Sequence, residues 1–143
     1  MIEEIAKYWD KQSAIWSNEK KEAWMLPETK YWGHFIFELQ NTLQGKRALE
    51  VGTASGYFAN ILALQGFEVD AVDLSPKMIE EAKQVSRSLQ LQVNYHVMNA
   101  EELSFHENHF HLVFTRLMTW TIPDLEKCYK SFYRVLHPRG ILV

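Results

Sequence analysis

Ala48-Leu49-Glu50-Val51-Gly52-Thr53-Ala54-Ser55-Gly56-Tyr57 decides the reading of this chain. A short apolar run ends in an acid, passes through a small-residue loop, and enters the helical pattern Tyr57-Phe58-Ala59-Asn60-Ile61-Leu62-Ala63-Leu64. This is a strand–loop–helix joint whose loop lacks bulky side chains, so a ligand can lie against the backbone. A second apolar run, Phe67-Glu68-Val69-Asp70-Ala71-Val72, ends in Asp73. In folds built this way, an acid at that point hydrogen-bonds the two hydroxyls of a ribose. The pair of features implies a nucleoside-containing cofactor.

Dinucleotide binders use G-x-G-x-x-G, whose third glycine lets the helix pack close to the strand. Here Ala54 fills the second position and Tyr57 the third. A phenol ring there argues against NAD and FAD. The spacing that fits is acid-x-G-x-small-x-G, which resembles motif I of the class I S-adenosylmethionine (SAM) dependent methyltransferases. The resemblance continues through Asp73-Leu74-Ser75-Pro76-Lys77-Met78, Asn99-Ala100-Glu101-Glu102-Leu103 and Arg134-Val135-Leu136-His137-Pro138-Arg139-Gly140, in the family's order. It covers the chain from about Lys46 to its end and is closest to the small-molecule branch that includes ubiquinone/menaquinone-type methyltransferases.

The 143 residues set an expectation of one domain, with residues 1–45 as a helical lid and 46–143 as the core. A net charge of −3 and the lack of a basic block argue against nucleic acid as partner. One cysteine excludes an internal disulfide and a cysteine zinc cluster. Cys128 lies on the helical face Leu125-Cys128-Phe132-Val135, which reads as a buried thiol. With no signal-peptide pattern and no apolar run of spanning length, the expected compartment is the cytoplasm.

Ile2 to about Ser17 reads as a helix carrying Ile2, Ile5, Ala6 and Trp9 on one side. After a polar gap, Pro27 opens a second helix with Tyr31, Phe35, Leu39 and Leu43 inward, stopped by Gly45. Strands and helices then alternate. Strands are expected at Arg47–Val51, Phe67–Asp73, Gln92–Met98, Phe110–Thr115 and from Ile141; helices at Tyr57–Gln65, from Pro76 to about Leu89, and at Pro123–Leu136. The expectation is an α/β chain with a Rossmann-like, doubly wound parallel sheet of about five strands. A complete fold of the resembled family carries a further helix and an antiparallel strand pair. Their lack implies a fragment or short form whose last strand has a bare edge, and hence a homodimer through that edge.

The resemblance implies cofactor roles for Glu50, Gly52, Thr53, Ala54, Gly56, Asp73, Leu74, Met78, Asn99, Ala100 and Glu101. Glu50 would orient the loop or the cofactor amine, and Asp73 would accept the ribose hydroxyls. Asn99 stands where the family usually has an Asp facing the adenine amino group; the competing reading is an Asn that caps the turn at Ala100–Leu103. Met78 would pack on adenine or fill the core. Methyl transfer from a sulfonium is an in-line displacement in which positioning does most of the work, so no acid–base residue is dictated. Arg116, just past the fourth strand, is the candidate to meet a substrate or the cofactor carboxylate, against the alternative of a surface ion pair. His106, His109 and His111 crowd together, but without a third ligand on one face they read as a solvated loop rather than a metal site.

The sequence therefore reads as a SAM-dependent methyltransferase of a small-molecule acceptor. The alternative is a catalytically weak SAM-binding domain acting through self-association or a partner.

Overall fold

The computed structural model describes residues 1–143. Two helices, α1 (Ile2–Trp24) and α2 (Pro27–Gln40), precede the alternating part. There follow β1 (Arg47–Val51), α3 (Tyr57–Leu64), β2 (Glu68–Asp73), α4 (Pro76–Ser88), β3 (Asn94–Val97), β4 (Phe110–Thr115), α5 (Leu125–Val135) and β5 (Leu136–Leu142). A single 3-10 turn, Thr119–Thr121, lies between β4 and α5. The five strands form one parallel sheet in the order β3-β2-β1-β4-β5. The chain winds outward from β1 to β3, then returns to the other side of β1 as β4. That reversal opens a crevice at the carboxyl ends of β1 and β4, where open α/β sheets bind ligands.

The two central strands, β1 and β4, are buried almost along their whole length because both sheet faces are covered there. In β1 successive side chains serve opposite faces. Ala48 joins a cluster with Ile36, Phe58, Ile61, Leu62 and Phe114 under α2 and α3. Leu49 and Val51 join Phe110, Val113, Cys128, Phe132 and Val135 under α5. Capping fixes where helices begin. Ser75 Oγ accepts from the Met78 N–H at 3.1 Å with Pro76 behind it, and Asp124 accepts from the Lys127 N–H at 2.9 Å.

Some elements differ from the sequence expectation. α1 runs through the polar stretch to Trp24, because Ser13, Ser17 and Ala23 bury small side chains there. On α2 the inward residues are Gly33 and Ile36, whereas Tyr31 is 76% and Phe35 44% exposed. Leu39 and Leu43 of the expected stripe do pack on the core, whereas at the start of the helix Trp32, edge-on against Phe58 at 4.9 Å, and Ile36 stand in place of Tyr31 and Phe35. The Ala100–Leu103 helix is only a turn. β5 begins directly after α5, and a register irregularity between Phe110 and Leu112 absorbs the residues from His137 to Gly140. Cys128 is fully buried, and desolvation pushes its thiol up to about 11. His111 is also buried; its Nδ1 accepts from the Arg47 backbone N–H at 3.3 Å, so its role here is in the core. No helix is long and apolar enough to cross a membrane.

Candidate functional site

The loop after β1 turns back on itself through left-handed residues. Gly52 has φ +75°, Ala54 φ +50° and Gly56 φ +83°. The Gly52 and Thr53 N–H groups both donate to the Val72 carbonyl, at 2.9 and 3.0 Å, which ties the loop to β2. A Cβ on Gly52 would stand 2.4 Å from the Met118 side chain, and one on Gly56 would stand 2.3 Å from the Tyr95 hydroxyl. Both glycines thus serve backbone geometry and close packing. Ala54 holds its left-handed conformation with a methyl group, at a cost of about 1–2 kcal/mol, which is the physical reason glycine is the commoner choice there.

A cavity of about 110 Å³ opens over this loop. Its floor comes from the carboxyl ends of four strands: Glu50 to Ala54 after β1, Asp73 and Leu74 after β2, Met98 to Ala100 after β3, and Arg116 to Met118 after β4. Met78 closes it from α4, while Ile2, Ile5, Trp9, Trp16 and Lys20 of α1 form its roof. Of the eleven residues expected to bind cofactor, Gly56 and Glu101 stand outside this lining.

Two carboxylates face into the cavity region. Glu50 is 3% exposed and accepts a 2.5 Å hydrogen bond from Thr53 Oγ1. Desolvation pushes its pKa up to about 8, and the Asp73 charge adds to the rise. Asp73 accepts from the Ala54 N–H at 2.8 Å and the Ser75 N–H at 3.0 Å. Its pKa is also raised, chiefly by burial, against the lowering effect of those backbone donors. A carboxylate bound to two amides retains lone pairs for hydroxyl donors. Asn99 has less to offer: its Oδ1 accepts from the Glu101 N–H at 3.0 Å, closing its own turn.

The cations sit elsewhere in the cavity. The Arg116 guanidinium stacks 4.9 Å from the Trp32 ring, and the Lys20 ammonium lies 5.1 Å from the Tyr57 ring and 5.4 Å from Trp16. Neither forms an ion pair. Tyr57 is buried and its hydroxyl meets Thr29 Oγ1 at 2.6 Å, so the ring at the third-glycine position anchors α2. Asp10 fastens α1 beside the cavity, accepting from Ser75 Oγ at 2.5 Å and from the Lys77 N–H at 3.2 Å.

Asp10, Lys20, Met98 and Met118 were not singled out from sequence. Extending the Ile2–Ile5–Trp9 stripe through a longer helix would have reached Trp16 and Lys20. For Asp10 and Met118 no local signal exists, since their partners are remote in the chain.

Comparison with known proteins agrees with this architecture. A family model described as "Methyltransferase domain" matches residues 49–143. The chain is 30% identical to a ubiquinone biosynthesis O-methyltransferase of Coxiella burnetii, covering 98% of this chain and 59% of that protein. It is 29% identical to a ubiquinone/menaquinone biosynthesis C-methyltransferase of Psychromonas ingrahamii, over 80% of this chain and 47% of the relative. The chain therefore spans only about half to three-fifths of the length of these relatives. A crystal structure of an S-adenosylmethionine-dependent methyltransferase from Clostridium acetobutylicum superposes with a TM-score of 0.71 at 28% identity, over 79% of this chain and 48% of that one. With the strand order, the left-handed loop after β1 and the family match all falling on the same residues, the chain belongs to the methyltransferase-domain family.

Proposed function

We propose that this chain binds SAM in the cavity above the Gly52–Gly56 loop and transfers its methyl group to a small-molecule acceptor. The observation that carries the proposal is the meeting of that loop with two recessed carboxylates, Glu50 and Asp73, at the sheet's switch point. The donor set fits such a cofactor. Asp73 offers acceptors for ribose hydroxyls, Glu50 a carboxyl that an incoming ammonium group would draw into its charged form, and Leu74, Met78 and Ala100 an apolar wall for a purine. The tightness of the cavity also bears on the fit. At about 110 Å³ it is smaller than the ~300–1,000 Å³ usual for ligand sites. Met118, packed against Gly52, and the α1 roof are the parts that bound this space.

The bound cofactor supplies an electrophilic methyl on a sulfonium. The protein's part is to position and to exclude water. Residues 46–143 act as the binding core and residues 1–45 as a lid, with Trp9 of α1 meeting Trp120 of the β4–α5 segment at 6.5 Å. Aromatic faces of Trp9, Trp16 and Tyr57 suit both a planar acceptor and a positive sulfonium. Arg116, unpaired on the cavity wall, is the residue placed to meet an acceptor or the cofactor carboxylate. The names of the relatives direct the acceptor screen first to phenols and quinols. For the 143-residue chain, self-pairing along the free edge of β5 is also part of the proposal. Calorimetric titration with SAM and S-adenosylhomocysteine, with NAD as control, tests the binding claim; methyl transfer to phenols tests the activity.

A further inference from the structure

Gly56 closes the loop after β1, yet it stands outside the cavity that the loop serves. What it meets lies behind the loop. The place where a side chain would project is taken by the Tyr95 hydroxyl of β3. That phenol is itself fixed. The Ser86 hydroxyl of α4 donates to Asn60 Oδ1 of α3 at 2.7 Å, which commits its one hydrogen. The Tyr95 hydroxyl, 2.8 Å from Ser86 Oγ, is therefore the donor of the other bond. Burial raises the phenol's pKa, so it keeps the proton it donates. The relay runs from Tyr95 through Ser86 to Asn60, and the last two are 4% and 0% exposed. Asn60 also returns to the loop, its backbone N–H donating to the Gly56 carbonyl at 2.9 Å. One closed set of contacts thus holds Gly56 from two sides.

Stability alone does not call for this arrangement. An apolar contact between α3, α4 and β3 would bury similar surface without desolvating two hydroxyls and an amide. A satisfied polar relay adds direction, fixing distances that an apolar contact lets slide. The distance fixed here bears on the ligand side of the loop. The Gly56 N–H donates to the Thr53 carbonyl at 2.9 Å, and the Ala54 N–H donates to Asp73 Oδ2 at 2.8 Å. Thr53, Ala54 and Asp73 all line the cavity, whereas Tyr95 does not. We propose that Tyr95, backed by Ser86 and Asn60, is a positioning residue for the cofactor loop: its hydroxyl sets the place of Gly56, and through it that of Thr53, Ala54 and the Asp73 carboxylate. The proposal rests on the reading of that loop as the SAM site.

The test measures S-adenosylhomocysteine affinity of the full chain by calorimetry, with thermal melts beside it. Tyr95→Phe keeps the ring and removes the hydroxyl. It should weaken binding about tenfold, with a melting midpoint close to that of the wild type. Gly56→Ala drives a methyl against that hydroxyl and should weaken binding further. In the double variant the hydroxyl is gone, and the next neighbours of the added methyl are Tyr95 Cζ at 3.2 Å and Ala82 Cβ at 3.3 Å. The double variant should therefore bind more tightly than Gly56→Ala alone. A tyrosine that only stabilised the fold would give two losses that multiply, and that result overturns the proposal. So does wild-type affinity in Tyr95→Phe. Should Gly56→Ala fail to fold, Ser86→Ala supplies the comparison by cutting the relay at its middle. Adding Tyr95→Phe to it should then lower affinity no further, and a second loss of about tenfold would overturn the proposal. A folded wild type that binds no S-adenosylhomocysteine sinks the SAM reading itself, whereas wild-type binding with any of the contrary variant results sinks this proposal alone.

Discussion

Glu50 is buried and Asp73 half-buried, and their partners give them different behaviour. Asp73 is held by two backbone N–H donors and stays available as an acceptor. Asp73→Ala should weaken S-adenosylhomocysteine binding by about 1–3 kcal/mol, as expected for lost charge-assisted hydrogen bonds; calorimetry reads this directly, and unchanged affinity would remove the ribose role. Glu50 has one short bond from Thr53 and little solvent, and titrates near 8 in the fold against 4.5 when exposed. Below pH 4.5 the carboxyl is protonated in both states. As pH rises from 4.5 towards 8 the unfolded chain releases its proton and the folded one does not, so stability falls over that window. Thermal melts of wild type and Glu50→Gln should therefore diverge by several degrees between pH 5 and pH 8, the Gln variant being the more stable at pH 8. A gap that stays constant with pH would show that Glu50 is not held neutral. At this scale the sequence exposes the acids and glycines, since loop chemistry is local. It does not expose that Asn99 spends its oxygen on its own turn, nor that Met118 lies against Gly52, because both depend on how remote segments pack.

The first four strands and the helices between them were legible because apolar runs and helix caps are written in adjacent residues, whereas the early start of β5 at Leu136 was not. The helices before β1 were less legible. α1 crosses a polar stretch where burial of Ser17 and Ala23, not a visible apolar stripe, keeps it helical, and at the start of α2 Trp32, against Phe58, and Ile36 stand in place of Tyr31 and Phe35. The C-terminal half of α1 is packed into the molecule through Ser17 and Ala23, and Asp10 pins the helix to Ser75 and Lys77, whereas Ile2, Ile5 and Trp9 at its start face the cavity. The packing of that start depends on what fills the cavity, so it opens more readily than the sheet. Hydrogen exchange over Ile2–Trp24 should slow when S-adenosylhomocysteine is added, with the Arg47–Val51 strand unaffected. Equal exchange of α1 with and without ligand would make it a fixed wall rather than a lid.

For the whole molecule, the sheet ends at β5, whose outer edge has no partner in this chain and whose Leu142 is 40% exposed. The adjoining helix α5 presents Tyr129 and Tyr133, 44% and 83% exposed. The account as a whole rests on what the cavity at the β1–β4 switch point accepts. Calorimetric titration of the chain with S-adenosylhomocysteine and with NAD measures this most directly: saturable one-to-one binding of S-adenosylhomocysteine, weakened by Asp73→Ala, with no heat from NAD, is the predicted result. Binding of NAD, or no binding of S-adenosylhomocysteine to a folded chain, would contradict it.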